Sequence, residues 1–257
     1  MIDIVIPTWN HSHLTIQCLE MIAMHTIEPY RIIWVDDGST EEHIDVVKKR
    51  LSTLGLLHVA VLLPENRGPT VAINEGLRTS KEDFIVVLNN DILVTEKWLG
   101  KLLFHMEATP DIGIIAALDG NGCTNWEKVR ERKNIVSPDG KSRTIIPVGD
   151  PVDYFAHLPP LYYEVPRNIP FCSCMIRRDA LEQVGLLDET MRVFGQDNDF
   201  NERMKIVGWK KAVAVDCYVR HLEHQTVKSV RKIKNIRTRD KEALRVAREK
   251  RKNEQKV

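Results

Sequence analysis

The chain has 257 residues, 43% of them apolar and 28% charged, enough to bury a core in one large domain and too apolar for a disordered tail. Its formal charge of +1 excludes a uniformly basic nucleic-acid coat, yet the average hides a split: residues 228–257 carry 13 basic and 4 acidic side chains, net +9, against −8 for residues 1–227. Five cysteines without a C-x-x-C pair exclude a disulfide-stapled miniprotein or a zinc ribbon and read as reduced thiols of a cytoplasmic protein.

Taken in order, short β-branched runs alternate with helix-period segments, the pattern of a largely parallel sheet flanked by helices. Strands are expected over 2–6, 31–35, 57–63, 84–88 and 112–116, and helices over 14–24, 41–54, 70–78 and 96–107. Residues 119–170, with seven prolines, read as irregular and long enough to be functional. Regular structure resumes with strands over 171–176 and 211–215 and helices over 179–184 and 198–207. The basic segment from Lys228 reads as an exposed helix or frayed tail. The first residues lack the pattern of a secretory leader, and no uncharged apolar run reaches the roughly 18 residues of a membrane span, so the expectation is a cytoplasmic protein, soluble or peripheral to a membrane.

Four polar clusters follow strands, where open α/β sheets place ligand crevices. Asp36 and Asp37 end the second strand; Ser39 with Glu42 fits a capping box and either acid fits an Asx turn, but a turn needs only one carboxylate, leaving the other for a ligand. Asn89, Asn90 and Asp91 end the fourth strand as a hard-cation site or as a polar turn with Thr95 as helix cap. Asp197 stands near a helix start, which suits an N-cap or a base. His221 and His224, three apart, have metal-ligand spacing, although nine histidines make one such pair unsurprising.

In order and spacing, Ile6-Pro7-Thr8-Trp9-Asn10, Asp36-Asp37-Gly38-Ser39, Asn66-x-Gly68-x-x-x-Ala72-x-Asn74-x-Gly76, Asn89-Asn90-Asp91, Gln196-Asp197-x-Asp199-Phe200 and a late histidine resemble the family 2 glycosyltransferases of GT-A fold over residues 1–226. The resemblance implies a Rossmann-like domain over 1–227, its nucleotide-sugar half about 1–118 and its acceptor half about 119–227, followed by the basic tail. It implies that Pro7, Thr8 and Asp37 hold the base and ribose of a nucleotide-sugar, with Asp36 beside them and Asn10, Asn66, Gly68, Asn74 and Asn90 completing the donor site. Asp91 matches the last acid of the family's D-x-D and is the implied Mn²⁺ or Mg²⁺ ligand, although Asn89 replaces an acid there. His221 is the implied second ligand, with His224 its competitor. Asp197 matches the general base, Asp199 being the fallback and Gln196 standing where the family has Glu.

One base and one cation imply a single inverting displacement of a nucleoside diphosphate by a hydroxyl of a surface glycan, glycolipid or modified nucleic acid. The alternatives are a nucleotidyltransferase, against which the absence of a basic Gly-rich loop after the first strand speaks, and a binding module whose tail grips anionic lipid or nucleic acid. Arg67 is read as solvated, Trp209 as packing, and Cys172 with Cys174 as small side chains on one face of a strand.

Overall fold

The computed structural model describes residues 1–120, 124, 125, 127, 129, 135–137, 141–143, 145, 149–165, 168–222 and 233–254. His224 and Cys123 lie outside these residues. In chain order the elements begin β1 (Ile2–Thr8), α1 (Ser12–His25), β2 (Tyr30–Asp36), α2 (Glu41–Thr53), β3 (His58–Leu62), α3 (Pro69–Thr79), β4 (Phe84–Leu88), β5 (Ile92–Val94), α4 (Trp98–Ala108) and β6 (Ile112–Leu118). There follow β7 (Ile135–Val136), β8 (Ser142–Arg143), α5 (Pro151–Ala156), β9 (Tyr162–Glu164), β10 (Ser173–Arg177), α6 (Arg178–Val184), α7 (Gln196–Ile206), β11 (Lys210–His221) and α8 (Ile233–Glu254).

One sheet runs in the order β3-β2-β1-β4-β10-β6-β11-β9-β7-β8, with β5 paired to β11. Strands β1 to β4 are mutually parallel where they pair, and β6 is parallel to β11, whereas β10 enters antiparallel between β4 and β6. The sheet is therefore mixed, as expected of a mostly parallel one. The period of two in its strands splits the core: Ile4, Ile6, Ile32, Trp34, Val86 and Leu88 pack with α1, α2 and α4 on one face, and Val5, Ile33, Val35, Ile85 and Val87 with α3, α6 and α7 on the other. Gly76 lets α3 lie on β1, since a Cβ there would come within 2.2 Å of Val5 Cγ1.

This direction pattern places the chemistry. The carboxyl ends of β1, β2, β4, β6 and β11 share one edge with the amino end of the reversed β10. Thr8, Asp37, Asn89–Asp91, Asp119, Cys172 and His221 all fall on or next to those ends. The chain order also reverses beside β1, with β2 on one flank and β4 on the other, the switch point where open sheets hold ligands.

Some local expectations are corrected. The Ser39–Glu42 capping box does not form: Thr40 caps α2 without a side-chain bond, Asp36 Oδ1 accepts the Ser39 N–H at 2.8 Å, and Ser39 Oγ accepts from Asn10 N at 2.7 Å. Thr95 does not cap α4, because its hydroxyl donates to Tyr218 O at 2.6 Å across the β5–β11 pair. The strand expected over 211–215 extends to His221; β5, only three residues long, follows the polar Asn89–Asp91 turn, and β9 and α5 arise within the proline-rich 119–170 segment read as irregular. Trp209 packs beside Gly113 and donates to Gln183, and Arg67 is half exposed 3.8 Å from Glu189. Among the described residues no helix is long and apolar enough to cross a membrane.

The basic segment forms helix α8, most of whose described residues are exposed, and it is anchored on the body by the buried Asp240 and Leu244 and by the pairs of Arg248 with Glu202 and of Arg251 with Asp199 and Glu202.

Candidate active site

Along the shared edge lies a cavity of about 690 Å³, within the range that takes a nucleotide-sized ligand. It is lined by Pro7, Thr8, Asp37, Asn66, Gly68, Asn90, Asp91, Asp197 and His221, so nine of the twelve implied site residues meet in one space. The other three stand outside its lining and hold structure. Asp36 is the acid that makes the turn, Asn10 Oδ1 faces the Thr40 N–H, and Asn74 joins α3 to the 187–189 segment through Leu187 and Glu189. Adjacent residues leaving a strand point opposite ways, which is why Asp36 turns inward and Asp37 faces the cavity.

Asp37 accepts from Arg67 N at 2.7 Å, Gly68 N at 2.8 Å and Asn66 Nδ2 at 2.9 Å. Burial nevertheless raises its pKa, those two backbone donors and the nearby Arg192 charge offsetting only part of the desolvation. Gly68 has φ +97°, and a Cβ there would stand 2.5 Å from Arg192 Cγ. Arg192 in turn donates to the Asn66 carbonyl and to Asn66 Oδ1 at 2.6 and 2.8 Å. The Asn66–Gly68 loop is thus tied to the segment that leads into α7.

That segment turns at Gly195, φ +93°, which starts α7 without a side-chain cap. Asp197 is the second residue of the helix, one Oδ1 accepting the Asn198 N–H at 2.8 Å. Burial raises its pKa despite that bond. Gln196 also lines the cavity, and its buried Oε1 has no hydrogen-bond partner among the described residues. Asp199, two helix positions on and so on the other side of α7, pairs with Arg203 and Arg251 and is no part of the lining.

Also in the cavity lining, His221 lies between two carboxylates, its Nε2 3.3 Å from Asp91 Oδ1 and its Nδ1 3.6 Å from Asp119 Oδ2. Burial alone would lower its pKa; bonding and charge from Asp119 and Asp91 outweigh that and raise it to about 9. Asp91 Oδ1 is buried beside the His221 imidazole. A buried carboxylate and an adjacent imidazole that both line an open cavity fit a hard divalent cation such as Mn²⁺ or Mg²⁺.

The sequence reading missed several wall residues. Asp119, 1% exposed, has the same signature as Asp37 and Asp91, an acid directly after an apolar strand, and was legible on that ground. Phe171, Arg192, Phe194 and the α8 residues Asn235, Ile236 and Arg239 also line the cavity. No local pattern marks them, because three come from a helix remote in sequence.

The sequence model described as Glycosyl transferase family 2 matches residues 3–185. An uncharacterized glycosyltransferase EpsJ of Bacillus subtilis is 23% identical over 78% of this chain and 55% of its own length. A poly(ribitol-phosphate) beta-glucosyltransferase of Bacillus spizizenii is 30% identical over 47% of this chain and 20% of its own. The chain therefore spans about half, or less, of the length of these relatives. Among solved structures, the mannosyltransferase PcManGT of Pyrobaculum calidifontis, in complex with GDP-Man and Mn²⁺, superposes with a TM-score of 0.65 at 16% identity, over 87% of this chain and 57% of that one. The fold is shared, although Asp197, His221 and α8 lie beyond the matched family segment. With the motifs, the sheet order and the family match in agreement, the chain belongs to glycosyl transferase family 2 and has the GT-A fold.

Proposed function

We propose that this protein transfers a sugar from a nucleoside-diphosphate-sugar to a hydroxyl of a carbohydrate or glycolipid acceptor, with inversion at the anomeric carbon. The observation that carries this reading is the convergence of Asp37, Asp91 and Asp197, 54 and 106 residues apart, on one cavity at the sheet's switch point. Asp37 and the Asn66–Gly68 loop it orders would face the base and ribose, with Pro7 and Thr8 as the floor. Asp91 and His221 would hold the divalent cation, which when bound supplies Lewis-acid neutralisation of the departing diphosphate. The names of relatives support that donor class, PcManGT having been solved with GDP-Man and Mn²⁺.

Asp197 would accept the proton of the attacking hydroxyl. Its raised pKa makes it a better base than a solvated carboxylate, and Phe194 and Phe171 line the same cavity. The diphosphate leaves as an anion and needs no acid, so a single carboxylate base suffices. One base and one cation pair on a common cavity favour direct displacement. Pro170, Phe171, Val193, Phe194 and Ile236 give the acceptor side an apolar wall suited to a sugar face or a lipid-linked glycan.

The test is product analysis with a donor panel and Mn²⁺ or Mg²⁺. Release of nucleoside diphosphate that depends on the cation, with acceptor transfer lost in Asp197→Asn while donor binding persists, is the expected result. Transfer by Asp197→Asn at the wild-type rate would refute the assignment of the base.

A further inference from the structure

A second set of ligand-type side chains adjoins the carboxylate–imidazole pair. The ligand atoms of Asp119, Cys172 and His221 all lie within 4.8 Å of one another. Asp119 Oδ2 is their corner, 3.5 Å from Cys172 Sγ and 3.6 Å from His221 Nδ1. A tetrahedral Zn²⁺ with Zn–S of about 2.3 Å and Zn–O and Zn–N of about 2.0 Å separates sulfur from oxygen by about 3.5 Å and oxygen from nitrogen by about 3.3 Å. Two edges of such a polyhedron are therefore already in place.

We propose that Asp119, Cys172 and His221 Nδ1 form a three-ligand site for Zn²⁺, a borderline-soft cation, separate in its ligand atoms from the hard-cation pair Asp91 and His221 Nε2. Binding forms Zn–S and Zn–N bonds, breaks the S–H bond of Cys172 and the Nδ1–H bond of the His221 imidazolium, and releases both protons to solvent. In the structure the thiol donates to Asp119, so the cation takes the place of the proton between sulfur and oxygen. Burial and the Asp119 charge hold the Cys172 thiol well above its ordinary pKa, so the sulfur stays protonated until a cation displaces that proton.

The second ring nitrogen supports the assignment. A zinc-bound histidine ordinarily donates its other N–H to a carboxylate, and Asp91 Oδ1 stands 3.3 Å from Nε2 in that role. The three ligands line the cavity, which gives the cation an entry path and a place for a water as fourth ligand. Sulfur and nitrogen donors favour Zn²⁺ over Mn²⁺ in both softness and divalent-metal order. With Zn²⁺ on Nδ1 the Nε2 keeps its proton and is lost to a hard cation, so Zn²⁺ and Mn²⁺ exclude each other at this histidine. The zinc site rests on three side chains and stands whether or not the protein transfers sugar.

The test uses the full chain freed of metal and titrated with Co²⁺ as a coloured substitute for Zn²⁺, in the absence of any nucleotide. One Co²⁺ per chain with a thiolate-to-cobalt charge-transfer band, bleached by one equivalent of Zn²⁺ and lost in Cys172→Ser, is the expected result. On the wild-type chain, one equivalent of Zn²⁺ but not Mg²⁺ should slow alkylation of Cys172 at least tenfold, read by peptide mass spectrometry. A cobalt spectrum without a thiolate band, a band that survives Cys172→Ser, or zinc protection confined to other cysteines would overturn the proposal. Failure of sugar transfer with every donor would leave these readings unchanged, which separates the two hypotheses.

Discussion

Removing the Asp240 carboxylate should loosen the acceptor wall and slow transfer more than it weakens donor binding. Asp240 is fully buried on α8, and one of its oxygens accepts both the Val193 and Phe194 N–H groups, at 2.8 and 2.9 Å. Beside it Arg237 stacks over the Phe194 ring at 4.7 Å. These contacts fix the stretch that leads through Gly195 into Asp197. Asp240→Ala strands two N–H groups at about 1–3 kcal/mol each, or about 2–6 kcal/mol together before relaxation. For a chain of this size that lowers the melting temperature by about 4–24 °C. Asp240→Asn keeps one acceptor oxygen and exchanges charge-assisted bonds for neutral ones about half as strong, so it should fall between the two. The assay pairs thermal unfolding with donor binding and acceptor transfer. We expect kcat for transfer to fall at least tenfold in Asp240→Ala, with recovery in Asp240→Asn and donor affinity within threefold of wild type. Transfer at the wild-type rate in Asp240→Ala, or equal loss of donor binding and transfer in a folded protein, would refute the positioning role.

Three further outcomes follow from the same geometry. Because burial raises the Asp197 pKa, its base form is lost as pH falls through a value above the ordinary carboxylate range, so the acid limb of kcat for transfer should lie above about pH 4 and vanish in Asp197→Asn; a limb at or below that value would contradict the assignment. Gly68→Ala forces a side chain into φ +97° and against Arg192, so it should cost about 1–3 kcal/mol and weaken donor binding, measured by denaturation and titration; unchanged binding would separate the loop from the donor site. For Asp3, burial opposes ionisation, but bonds from Arg31 at 2.8 and 2.9 Å and from the Ser80 region outweigh it and lower the pKa. Its stabilisation is complete above the unfolded value of about 3.9 and lost as pH falls through the lower folded value, so the urea-midpoint gap between wild type and Asp3→Asn should close in strong acid; a gap independent of pH would count against the pair.

Much of residues 1–118 was legible because each strand announces itself by a β-branched run and the cavity acids follow such runs: Asp37 after β2 and Asp91 after β4. What sequence does not carry is direction and register. Nothing in residues 171–176 says that β10 runs backwards, yet that reversal brings Cys172 to the edge that holds Asp91 and Asp119. The choice between Asp36 and Asp37 likewise depends on which way each side chain leaves the strand. Asn74 fitted the motif but proved to be a clamp, since its amide is consumed by Leu187 and Glu189, contacts more than 110 residues away in sequence. Asp240 was hidden inside a run of lysines and arginines that read as an exposed helix or frayed tail; its partners are backbone groups 46 and 47 residues earlier.

The most direct measurement is equilibrium binding of uridine, guanosine and thymidine diphosphate sugars to the full chain, with and without Mn²⁺, in wild type and in Asp91→Asn. At least one donor should bind saturably and at least tenfold tighter with the cation, and Asp91→Asn should erase that increment while Asp37→Asn weakens binding in its presence and absence alike. A folded wild-type chain that binds no donor across the panel, or binds one equally well with the Asp91 carboxylate removed and Mn²⁺ present, would contradict the account.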